Sequence, residues 1–96
     1  MELNLELERL LKYSRIQDEL ERAEKKHPIF PLNIFEQLAI MQEEAGEVTK
    51  AVLHLKYENG TLYDIEEELV QTAAMCMRML QSLEEKHQIL INKHNV

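Results

Sequence analysis

Two breaks constrain this chain more than any other feature. Pro28 and Pro31 in "HPIFP" forbid a continuous helix there, and "ENGT" (residues 58 to 61) sets an Asn-Gly step before Thr61. The three stretches they leave all repeat apolar residues at steps of three and four, the period of a helix with one buried face. In the first, about residues 3–26, the repeat is Leu3, Leu7, Leu10, Tyr13, Ile16, Leu20 and Ala23. The second starts after Asn33, with Glu36 three residues on as in a capping box, and its stripe is Ile34, Leu38, Met41, Ala45, Val48, Val52 and Leu55. Asn59-Gly60 suits its C-terminal cap, and Thr61 with Asp64 suits the next N-cap.

The third stretch carries Leu62, Ile65, Leu69, Thr72, Ala73, Cys76, Leu80 and Leu83 on one face. Its tail, "EEKHQILINKHNV", either extends that helix or turns away near residues 84–88 as a short fourth one. No strand alternation occurs, so the expected fold is an all-α bundle of three long helices in one domain, residues 1–96. So short a chain buries only a modest core. Its remaining apolar helix surface calls for a homodimer, or a dimer of dimers, to complete the bundle.

The formal charge of −7 and the absence of a Lys/Arg cluster argue against binding a nucleic acid polymer. The single cysteine, Cys76, excludes an internal disulfide framework and suits a reducing cytoplasm. Its place in the apolar stripe marks it as an inert core residue. The opening "MELNLELERL" alternates leucines with acids, unlike a signal peptide or a membrane span.

Three glutamates in "EEAGEV" (residues 43–48) then stand out. At about 100° per residue, Glu44 falls about 60° from Met41 and Glu47 about 120° on the same side, while Glu43 points away. Gly46 costs roughly 1 kcal/mol relative to alanine in a helix, a loss that close packing by a neighbouring helix would justify. On the third helix, Glu68 and Gln71 border the stripe in the same manner, with Asp64 on their side. Antiparallel packing across the tight turn brings the two i, i+3 pairs together. Glutamate is abundant, and a solvated face explains one such pair. Two pairs facing across a turn suit a hard divalent cation such as Mg²⁺ or Mn²⁺, held by oxygen ligands alone.

With these residues in place the chain resembles the MazG-like, all-α nucleoside triphosphate pyrophosphohydrolases, whose pattern is E-x-x-E on one helix and E-x-x-D on the next. "EAGE" (Glu44 to Glu47) matches the first half and "EELVQ" (residues 67–71), with Glu68, the second. The resemblance covers about residues 34–83. It implies hydrolysis of a nucleoside triphosphate between the α- and β-phosphates, with Glu44, Glu47, Glu68 and Gln71 as ligands of Mg²⁺ or Mn²⁺. Either Glu44 or Glu47 would orient the attacking water. Gln71 departs from the family, which has aspartate there, and the neutral amide weakens the site; Asp64 is placed to supply the missing charge.

His54 lies on the side of Glu47 and either touches phosphate or is an exposed polar residue. Met75 and Met79 either line the base or pack the core or a dimer interface. "HPIFP" either closes over the site or plugs the bundle end. The Glu-x-x-His matches at Glu24 and Glu84, the ligand pattern of di-iron bundles, are expected by chance in so glutamate-rich a chain. The competing class is a non-catalytic acidic helical oligomer that keeps the family fold.

Overall fold

The computed structural model describes the backbone of residues 2–94 and the side-chain surroundings of residues 3–85. Three helices form among them: α1 (Glu2–Lys26), α2 (Ile34–Tyr57) and α3 (Leu62–His94). The two sequence breaks fall between them as expected. Asn33 caps α2 through Oδ1, which accepts from the amides of Phe35 (2.8 Å) and Glu36 (3.3 Å). Thr61 and Asp64 open α3 with a reciprocal box. The Thr61 amide donates to Asp64 Oδ2 at 3.0 Å, and the Asp64 amide to Thr61 Oγ1 at 3.1 Å. The backbone of α3 runs unbroken through residues 84–88, so no separate fourth helix forms among the described residues.

Gly60 serves the end of α2 by close approach and not by a left-handed conformation. Its amide donates to the His54 carbonyl at 3.2 Å, and a β-carbon there would stand 2.7 Å from the Leu55 nitrogen. Gly46 corrects an expectation: a β-carbon at that position would meet nothing within 4 Å, so among the described residues no helix needs the glycine for close packing.

Helix α3 is the spine. It packs against α2 on one side and α1 on the other, and α1 and α2 make no close backbone approach to each other among the described residues. Gln37 meets Ser82 at one end of the α2–α3 pair, which joins through a tight turn at the other, so these helices run antiparallel. Helix α1 runs parallel to α3. Arg15 forks onto Glu66 and Glu67 at 3.0 and 2.9 Å, and further along Arg78 donates to the His27 carbonyl at 2.7 Å.

On α2 and α3 the fully buried residues lie off the apolar stripes, whereas on α1 they belong to the stripe. On α3 the buried residues are Ala74, Arg78 and Ser82, while Leu62, Leu69, Cys76, Leu80 and Leu83 are exposed. On α2, Gln37 and Ala51 are buried, while Ile34, Leu38, Val52 and Leu55 are exposed. On α1 only Leu20 and Ala23 are buried, and residues 3–14 lie wholly in the open. Cys76 is therefore not a core residue: its thiol is exposed and unpaired. The reason is geometric. Helix α3 must meet two helices at once, and small or polar residues at Ala74, Arg78 and Ser82 let both approach, which turns the large apolar residues outward.

No described helix is long and apolar enough to cross a membrane.

Candidate functional site

The inward turn of α2 and α3 carries the acids with it. Glu44 and Glu68 are half-buried, Glu47 is exposed on the rim, and Gln71 is half-buried. Antiparallel packing sets the first member of each pair opposite the second member of the other, and two hollows result. Glu47 and Glu68 line a cleft of about 270 Å³ with Lys50, His54, Asp64 and Glu67. Glu44 and Gln71 line the other, a cavity of about 510 Å³ whose walls include Phe30, Ile40, Met75 and Arg22. The two i, i+3 pairs thus straddle one ridge.

Electrostatics on the ridge are unfavourable to charge. Burial pushes the Glu44 carboxyl above its ordinary range, and Glu68, Glu43 and Glu47 add to the rise by repulsion. Burial likewise pushes Glu68 up, with Glu47, Glu67 and Asp64 adding to it and Lys50 opposing. One oxygen of Glu68, Oε2, is buried without a hydrogen-bond partner. A carboxylate oxygen withdrawn from water with no donor is a costly arrangement that a cation relieves. The carboxylates of Glu47, Asp64 and Glu67 in the same cleft suit a hard divalent ion, with Lys50 and His54 also in its wall. Among the described residues no three acidic, His or Cys side chains converge as a finished metal cage.

The auxiliary positions fall in the same cleft. Asp64 spends one oxygen on the Thr61 amide while its charge still bears on Glu68. His54 stands 3.7 Å from Glu58 and also faces the cleft. Met75 lines the cavity, whereas Met79 is half-buried one turn on, outside its lining.

Two contributors, Lys50 and Arg22, were missed by sequence reasoning, and a third, "HPIFP", was read there as closing over the site or plugging the bundle end. Lys50, one turn after Glu47, brings a cation to the cleft and was legible from helical spacing. Arg22, whose guanidinium is held by both oxygens of Glu19 at 2.8 and 2.6 Å, faces Glu44 from α1. The connector 27–33 supplies Phe30, and two buried polar groups fix it. Arg78 binds the His27 carbonyl and lies 4.8 Å from the Phe30 ring centre, and Gln37 Nε2 donates to the Pro31 carbonyl at 2.6 Å. "HPIFP" is thereby a fixed wall of the cavity. The contributions of Arg22 and Phe30 depend on where α1 docks, which no local pattern encodes.

Comparison with known proteins gives no family model, no curated relative and no solved structure that matches this chain.

Proposed function

We propose that the chain is a MazG-like nucleoside triphosphate pyrophosphohydrolase, cleaving the α–β phosphoanhydride to a nucleoside monophosphate and pyrophosphate with Mg²⁺ or Mn²⁺. The observation that carries this reading is the ridge. A buried, partnerless carboxylate oxygen of Glu68 stands beside Glu47 in one hollow, and Glu44 opens onto a second hollow of small-molecule size.

In this reading Glu47 and Glu68, with Glu44 across the ridge, hold the metal, and the charge of Asp64 strengthens the site. When bound, the ion offsets the charge of the phosphate oxygens and of the pyrophosphate leaving group. Lys50 offers a second positive charge to phosphate at the cleft, and His54 lies within the same wall. Glu44 orients the attacking water and accepts its proton.

The proposal includes a homodimer or a dimer of dimers in the cytoplasm. The chain exposes 7854 Å², against roughly 5,800 Å² for a compact monomer of its mass. Its radius of gyration is 16.7 Å, where about 12.5 Å is usual for the length. An excess of roughly 2,000 Å² per chain matches what obligate homodimers bury, and the outward leucines of α2 and α3 supply the apolar surface for it.

The test is pyrophosphate release from a panel of ribo- and deoxyribonucleoside triphosphates with Mg²⁺ or Mn²⁺, beside Glu44→Ala. We expect metal-dependent release that the variant lowers by at least about 100-fold, the scale of a lost general base. No release from folded, metal-supplied protein would shift the reading to a non-catalytic acidic module.

A further inference from the structure

Gln71 is the residue at which this chain departs from the E-x-x-D pattern, and its position gives the departure a purpose. It does not line the cleft that holds Glu47, Glu68 and Asp64. It lines the other hollow, with Glu44, Phe30, Ile40 and Met75. That cavity has about 510 Å³ of room, within the range of small-molecule sites.

Its chemistry suits a flat, neutral heterocycle better than a polyphosphate. Phe30, Ile29, Ile40, Pro31 and Met75 give it apolar and aromatic surface. Two of its three cations are already engaged by the protein. Arg22 is gripped by Glu19, and Arg78 is committed to the His27 carbonyl and the Phe30 ring. The anionic phosphates therefore gain little there, whereas a base gains a fixed aromatic wall. An amide on such a wall offers both a donor and an acceptor, the pair needed to read the edge of a base. A carboxylate at the same place would offer acceptors alone and would repel the phosphate chain.

We propose that Gln71 is a specificity-determining residue, reading the hydrogen-bonding edge of a nucleobase seated in the Phe30–Ile40–Met75 cavity, and is not a metal ligand. The nucleoside lies on the Glu44–Gln71 side of the ridge and its phosphates cross to the Glu47–Glu68 side. This rests on the nucleotide reading above, but its test does not rest on catalysis.

The first probe is the four ribonucleosides and their deoxy forms, titrated into the full-length protein in EDTA and followed by amide and side-chain NMR shifts. Wild type is expected to rank the bases with at least about tenfold separation between best and worst, the scale of one satisfied against one unsatisfied polar contact. The Gln71→Met variant, similar in size and still compatible with a helix, should compress that separation to about twofold. The second probe is Mn²⁺ alone, followed by thermal shift in both proteins. Its midpoint should move less than about twofold between them, because no ligand has been lost.

An unchanged base ranking in Gln71→Met would overturn the proposal. So would nucleosides that leave the cavity resonances unmoved at about 10 mM, or a Mn²⁺ midpoint that weakens about tenfold or more in the variant. Gln71-dependent base discrimination without pyrophosphate release would retain this inference and remove the catalytic one.

Discussion

A carboxylate oxygen buried with no donor stabilises nothing in the metal-free protein. Glu68 and Glu44 are held above their ordinary value of 4.5, so the folded state binds their protons more tightly than the unfolded chain does. In the window from that value up to the raised folded one, stability falls as pH rises, and the whole penalty is present above it. The metal-free protein is therefore expected to gain thermal stability as pH falls through the raised range toward the ordinary value of 4.5. Glu68→Gln should raise the metal-free Tm by a few degrees, flatten that pH dependence and abolish stabilisation by Mn²⁺. Thermal scans across pH with and without the ion check all three. A Tm that falls in Glu68→Gln, with Mn²⁺ stabilisation intact, would make Glu68 a structural residue. The pairing of Glu44 with Glu47 and of Glu68 with Gln71 was visible from spacing alone, because i, i+3 neighbours share a side of a helix. Which hollow each member enters was not, since that depends on the register between α2 and α3.

At the scale of elements, the connector between α1 and α2 determines whether the cavity exists. It is held at one end by Arg78, through the His27 carbonyl and the Phe30 ring, and at the other by Gln37, which is fully buried and bonds both Pro31 and Ser82 (2.7 Å). Removing the guanidinium leaves the carbonyl without its partner. Arg78→Met is expected to destabilise the fold by about 1–3 kcal/mol and to weaken nucleoside binding, while leaving the Mn²⁺ midpoint close to wild type. Urea denaturation and the nucleoside titration measure the two effects. A stable variant with unaltered nucleoside affinity would show that the connector has no part in the cavity. The surface fork of Arg15 on Glu66 and Glu67 joins α1 to α3 but is solvated, and its loss should be nearly silent.

For the whole molecule, the question is what covers the outward leucines. Leu3, Leu7, Leu10 and Leu11 on α1, Leu38 and Val52 on α2, and Leu62, Leu69 and Leu80 on α3 are all exposed in the single chain, which measures 57 × 35 × 22 Å. Light scattering on the eluted protein should return two or four times the 11.4 kDa chain mass, with a Tm that rises with protein concentration. Leu69→Lys, which sets a charge in the outward α3 stripe, should shift the mass downward and lower the Tm. A monomer of unchanged stability at all concentrations would contradict the assembly.

What the sequence determined by itself is local. The two breaks between helices, the Asn33 cap, the Thr61–Asp64 box and the side of each helix that carries the acids follow from spacing and from groups within four residues of each other. The tertiary structure decided what faces what. Periodicity marks Leu69 and Val52 as residues that avoid water, but it is blind to whether the surface covering them belongs to the same chain. Helix α3 turned Ala74, Arg78 and Ser82 inward because only small or polar residues there admit two neighbouring helices and anchor the connector. That rotation put Glu44 and Glu68 on a half-buried ridge, set Gln71 beside Glu44 in one cavity and left the large apolar residues of α3 facing out.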